Sequence, residues 1–231
     1  MKKLFLLFIM LMGLNAAFAQ NDVTTFLGIP VDGYKSEMKQ KLAKKGFTLK
    51  DAGTKYERFV GEFNGTDVNV YVVTQNNKVW RIFVSDVNNV NESQIKIRFN
   101  NLVRQFEKNK RYISFEDKQT IDEDTDISYE MMVHHKTFTA EFYQQPDQEK
   151  IDTLGLALQV RDKMLEKYSA EQLANMTDEI QEEMHTQFVL AAYEMVTKKH
   201  VWFSIVESDY DEYRIGIYYD NEYNRADGDD L

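Results

Sequence analysis

The stretch "FVGEFNGTDVNVYVVT", Phe59–Thr74, decides the fold. Asn64-Gly65 lies between two runs of alternating side chains, and Asn-Gly suits the positive backbone angles of a two-residue hairpin turn. Once that turn is placed, the pairing follows: Phe63 faces Thr66, Gly61 faces Val68 and Phe59 faces Val70. Successive side chains on a strand point to opposite faces. Phe59, Phe63, Val68, Val70 and Val72 therefore share one face, and Val60, Glu62, Asn69, Tyr71 and Val73 share the other. A sheet buried on one side needs that division.

Downstream, "QNNK" (Gln75–Lys78) leads into "VWRIFVSD" (Val79–Asp86). A three-residue turn at Asn76–Lys78 sends Trp80, Ile82 and Val84 inward and sets Val79, Arg81 and Phe83 beside Tyr71 and Val73. "KHVWFSIVESD" (Lys199–Asp209) nearly repeats "NKVWRIFVSD" (Asn77–Asp86). "YEMMVHHKTFTAEFYQ" (Tyr129–Gln144) aligns with the first hairpin, with Val133 on Phe63, His134-His135 on Asn64-Gly65, Phe138 on Val68 and Phe142 on Val72. The pattern predicts a second hairpin with Tyr129, Met131, Val133, Phe138, Ala140 and Phe142 on one face. Tyr143, Phe203 and Ile205 then fall on the face that matches Tyr71 and Phe83.

A helix precedes each hairpin. "DGYKSEMKQKLAKKGFTL" starts near Asp32 or Ser36, stops at Gly46 and carries Met38 and Leu42 on one stripe. "NESQIKIRFNNLVRQFEKNKRYISF" starts near Glu92, carries Ile95, Phe99, Leu102 and Phe106, and leads to a strand from Arg111. A last strand, "EYRIGIYYD", points Tyr213, Ile215, Ile217 and Tyr219 inward, with "TTFLGI" near the N-terminus as its expected neighbour.

The expected fold is α+β: tandem helix-plus-four-stranded antiparallel units, 20–89 and 90–231, the second interrupted by a helical insertion over 146–199. This plan resembles the beta-lactamase-inhibitor-protein-like architecture and the related PepSY-like domains. The wording "FLGIPVDGYKSEMKQKLAKKGF" and the tail "DNEYNRADGDDL" look like secreted proteins from gut bacteria of the Bacteroides type. The resemblance implies a fold and carries no catalytic motif.

"MKKLFLLFIMLMGLNAAFAQ" has the basic start, short apolar run and Ala17-Phe18-Ala19 site of a secretory signal peptide, residues 1–19. No later segment is long and apolar enough to span a bilayer. The chain has no cysteine, which excludes disulfides, thiol catalysis, thiolate–zinc sites and a lipid-modified cysteine. The expectation is an exported protein, soluble in the periplasm or secreted, and not a lipoprotein. Without Lys2 and Lys3 the chain carries 26 basic against 38 acidic residues. That balance disfavours nucleic acid and anionic membrane surfaces as partners.

Within the insertion, the spacing predicts helices from about Thr153 to Tyr168, from Ser169, whose partner Gln172 has capping-box spacing, and from Asp178 to Lys198. Ile180, Met184, Phe188, Ala191, Ala192 and Met195 form the apolar stripe of the third. Met164, Met176, Met184 and Met195 are expected to pack against one another and the sheet. Asp152-Thr153-Leu154 matches a short O-glycosylation pattern of some gut bacteria.

No catalytic motif, cofactor fingerprint or metal framework is evident. Adjacent His134 and His135 read as turn residues, and Glu182-x-x-His185 lacks the second copy that a di-iron site requires. "DEDTD" (Asp122–Asp126) lacks the glycine and glutamate of a calcium loop. The residues that point to function are the outer-face aromatics and their neighbours: Tyr71, Val73, Phe83, Tyr143 and Phe203. An apolar sheet face is either covered or binds something. The leading expectation is a non-enzymatic binding module for a protein, peptide or glycan. The alternatives are a small apolar ligand held between the insertion helices and the sheet, and a hydrolase built on scattered carboxylates.

Overall fold

Asn64 and Gly65 both adopt positive φ, 53° and 73°. The strands they join, β4 (Arg58–Phe63) and β5 (Thr66–Gln75), pair as the turn dictates: Phe63 with Thr66, Gly61 with Val68, Phe59 with Val70. The computed structural model describes residues 22–54, 57–149, 151–209 and 211–225. The expected signal segment lies outside them. Within the described residues the chain divides into two units, a sheet unit of 23–145 with 198–225 and a helical unit of 146–197 with Asp22.

In the sheet unit, β1 (Thr25–Phe26) and β2 (Ile29–Pro30) form a small hairpin. Helix α1 (Lys35–Lys44), β3 (Thr48–Lys50), β4, β5 and β6 (Lys78–Asp86) follow. Then come α2 (Glu92–Lys108), β7 (Tyr112–Ile113), α3 (Ile127–His134), β8 (Thr139–Gln144), β9 (His200–Asp209) and β10 (Glu212–Asp220). The eight longer-range strands make one antiparallel sheet in the order β3-β4-β5-β6-β10-β9-β8-β7.

Both helices bury the stripes their sequences carry. Met38 and Leu42 of α1, and Ile95, Phe99, Leu102, Val103 and Phe106 of α2, join one core with Phe59, Val68, Val70, Ile82, Phe203, Ile215 and Ile217. Each such side chain contributes roughly 1.5–3 kcal/mol on burial. Asn91 caps α2, its side chain accepting from Gln94 N at 3.0 Å. Gly46, at φ 94°, stops α1. Gly61 lies on the core face where a Cβ would stand 2.7 Å from the Phe47 ring, so the absent side chain lets Phe47 pack.

Four expectations are corrected. Tyr129–Val133 is helix, not strand. Asp126 caps α3 by accepting from Tyr129 N at 2.8 Å, Glu92 accepts from Ile127 N, and His135 at φ 52° ends the helix. The spacing of Tyr129 and Val133 fits a helical turn as well as a strand, and the cap decides for the helix. Second, Asn76 and Asn77 (φ 47° and 62°) make a two-residue turn, and a bulge at Trp80 follows, because Val73 pairs Arg81 while Thr74 pairs Val79. Val79 is therefore buried and Trp80 half-exposed. The bulge restores the predicted faces for Arg81, Ile82, Phe83 and Val84.

Third, β10 sits mid-sheet between β6 and β9, while "TTFLGI" closes on itself as β1–β2. Thr24 only donates its hydroxyl to the Asp220 carbonyl. Fourth, Phe203 and Ile205 face the core. Phe203 is fully buried and meets Phe99 edge-on at 5.1 Å. The likeness of Lys199–Asp209 to Asn77–Asp86 does not make the two strands equivalent: β9 follows β8, as β5 follows β4, and β10 is last, as β6 is.

The helical unit comprises α4 (Thr153–Lys167), α5 (Ala170–Ala174) and α6 (Asp178–Thr197). Ser169 and Gln172 form the predicted capping box. Asp152 caps α4 through Gly155 N, so the Asp-Thr-Leu triplet is the start of a helix. Val160, Met164, Ile180 and Ala191 form the small core, with Met176 and Met184 packed on it.

Candidate functional site: an aromatic ladder on the outer sheet face

The face of the sheet turned away from α1 and α2 is built by period-two alternation on five strands. β5 contributes Tyr71 and Val73, and β6 contributes Arg81 and Phe83. β10 contributes Tyr218 and Asp220, β9 contributes His200 and Trp202, and β8 contributes Tyr143 and Glu141. Of the predicted residues, Tyr71, Val73, Phe83 and Tyr143 lie here, half-buried, and Phe203 does not.

The rings stack from strand to strand. Tyr71 meets Phe83 at 5.6 Å, Phe83 meets Tyr218 at 4.8 Å, and Tyr218 meets Trp202 at 3.8 Å. His200 continues the series at 6.3 Å from Trp202 and 5.0 Å from Tyr143, and Phe115 adjoins Tyr143 at 5.1 Å. The first five contacts lie within 25° of parallel. Neighbouring strands are about 4.8 Å apart, so rings stacked along that direction stand on edge. Their faces look at one another and their edges look outward. Gly216 makes room in the series, since a Cβ there would meet the Phe83 ring at 3.0 Å.

One ion pair anchors the middle. Arg81 grips Asp220 with both Nε and a terminal nitrogen, at 2.5 and 2.6 Å, and Trp202 Nε1 donates to the same carboxylate at 3.0 Å. The guanidinium carbon lies 4.3 Å from the Trp80 ring centre, 5.0 Å from Tyr218 and 5.5 Å from Trp202. Asp220 is almost fully buried. Bidentate geometry is the strong form of such a pair.

His200 has an unusual setting. Its Nε2 is buried without a hydrogen-bond partner among the described residues and lies 3.6 Å from Glu141 Oε2. Burial lowers its pKa and outweighs the opposing pull of Glu141, Asp220 and Glu222. The imidazole is therefore neutral at neutral pH. One potential ligand atom each from His200, Asp220 and Glu222 lie within 4.8 Å of one another. The sequence offers no contiguous trace of this group. The pairing of Tyr219 with Val201 brings Asp220 level with His200, and register is a tertiary property.

The other candidates resolve as local structure. His134 packs edge-on against Tyr129, and Asp126 of the acidic run is a helix cap. Trp202 and His200 escape the sequence reading because the likeness of β9 to β6 assigns them the wrong face, and Tyr218 because nothing local places β10 beside β6. Comparison with protein-family models, with curated proteins and with solved structures found no match to this chain. No helix among the described residues is long and apolar enough to cross a membrane.

Proposed function

We propose that the protein is an exported, non-enzymatic binding module whose outer sheet face docks a protein or peptide. The unbroken aromatic ladder from Tyr71 to Tyr143 carries this reading: a half-exposed apolar face of that extent is characteristic of an interaction surface. Ring orientation narrows the class of partner. Sugars stack on exposed ring faces, whereas this ladder offers edges, which suit the apolar side chains and carbonyl oxygens of a polypeptide. The central bidentate pair keeps the surface rigid, which lowers the ordering cost of binding.

The mirrored strand order supports reading the sheet unit as two α-β4 units, 20–89 and 90–231, joined through β6 and β10 in the manner of the beta-lactamase-inhibitor-like architecture. The helical unit is then the insertion in the second.

The test is co-purification from extracts of the source cells with the wild type, a Tyr71→Ala/Phe83→Ala variant and a helical-unit control, Leu190→Ser. The reading requires a protein retained by the wild type and the control and lost from the double variant, with its circular dichroism unchanged. Equal retention by all three overturns it.

A further inference from the structure

We propose that His200, Asp220 and Glu222 form a divalent-cation site on the outer sheet face, with Zn²⁺ as the ion its donors suit. This goes beyond the docking surface and does not depend on any partner. The three residues come from two strand ends and one turn, and the fold holds each in place. His200 opens β9, Asp220 closes β10, and Glu222 begins a 3-10 turn over Glu222–Asn224. Asn221 fixes that turn: its buried side chain donates to the Val31 carbonyl at 2.8 Å and accepts from Tyr223 N at 3.1 Å. Its backbone N–H also bonds the Trp80 carbonyl at 2.7 Å. The chain therefore doubles back after Asp220, and Glu222 faces the same space as the imidazole.

Two observations point to a cation there. The ligand atoms lie within 4.8 Å of one another, so modest side-chain rotation closes them to the separations that metal bonds of about 2.0–2.2 Å require. The buried Nε2 of His200 has no hydrogen-bond partner among the described residues, and an unbonded imidazole nitrogen is costly to leave in that state. Arg81 holds the Asp220 carboxylate and Arg225 the Glu222 carboxylate, so both acidic ligands are oriented before an ion arrives.

Asp220 accepts three hydrogen bonds, from Arg81 twice and from Trp202, which leaves about one of its four acceptor positions for an ion. Imidazole with carboxylate oxygens is a donor set that zinc accepts. Tyr143 and Trp202 flank the imidazole on its two faces and hold its plane.

The experiment is calorimetric titration of the tag-free, chelator-treated full chain with Zn²⁺, followed by Co²⁺ with visible absorption as a coordination readout. One equivalent of Zn²⁺ is expected to bind and to raise the melting temperature. His200→Phe retains a stacked ring and removes the nitrogen, and binding should be lost. Glu222→Gln should weaken binding about tenfold or more. His134→Ala/His135→Ala and His185→Ala, which remove the other imidazoles, should bind as the wild type does. No Zn²⁺ uptake by the wild type overturns the proposal, as does wild-type affinity in both His200→Phe and Glu222→Gln. If His200→Phe fails to fold, Glu222→Gln decides.

Discussion

The Arg81–Asp220 pair permits a quantitative test of how the two halves of the sheet are joined. β6 and β10 meet at the centre of the sheet, and Asp220 pairs with Arg81 there in register as well as through side chains. Asp220→Ala removes the acceptor of two guanidinium bonds and one indole bond and leaves Arg81 partly buried beside Trp80, Trp202 and Tyr218. Breaking one side of a buried pair costs about 3–5 kcal/mol. Arg81→Met, which keeps the apolar stem but strands the Asp220 carboxylate, should cost a similar amount. In the double variant no buried charge is left alone, so the loss should be well below the sum, with a coupling of about 2–3 kcal/mol.

Urea unfolding followed by tryptophan fluorescence is a suitable assay, because the only tryptophans are Trp80 and Trp202 and both lie at this site. With a slope of about 2 kcal/mol/M, each single variant should move the midpoint down by roughly 1.5–2.5 M. Additive losses, with coupling below about 0.5 kcal/mol, would refute the pair as a joint between β6 and β10.

Phe203→Ala should cost about 3–5 kcal/mol, as expected for a ring packed on Phe99, Phe106 and Phe142; a loss within about 0.5 kcal/mol, typical of a surface site, would return Phe203 to the outer face. Asn77→Gly should leave the β5–β6 turn intact or firmer, whereas Asn77→Ala should lower the unfolding free energy by about 1 kcal/mol in urea titration, because φ 62° burdens a Cβ. Glu57 is held at a pKa of about 2, chiefly by its bond to Lys39, with Gly53 N and Lys35 also contributing. Its folded value lies below the unfolded one, so its stabilisation is present above about pH 4.5 and disappears as pH falls toward 2. The difference in unfolding free energy between wild type and Glu57→Gln should therefore be about 1 kcal/mol at neutral pH for this half-buried, solvent-screened pair, and should close in acid. A gap that widens in acid would contradict the assignment.

The parts that were legible in the sequence were those whose physics is local. Asn64-Gly65 places its own turn and so the register of β4 on β5. The stripes of Met38 with Leu42, and of Ile95, Phe99, Leu102 and Phe106, mark helices whatever they pack on. Ser169 with Gln172 caps a helix within four residues. Reading failed where two local solutions compete: Tyr129–Val133 satisfies both periods, and only the Asp126 cap and its tether to Glu92 select the helix. It failed again where a likeness of words stood in for position, placing Phe203 on the wrong face.

By itself, then, the chain determined the alternation of its strands, the stripes of its helices, its turns, and the chemistry that a cysteine-free composition forbids. Tertiary structure alone decided that β10 lies between β6 and β9. That one choice stacks Tyr218 between Phe83 and Trp202, seats Asp220 on Arg81 and brings His200 level with Asp220. Period-two alternation tells a residue which face it occupies, but the identity of its neighbour across the sheet depends on pairing between segments more than a hundred residues apart, which no local preference encodes.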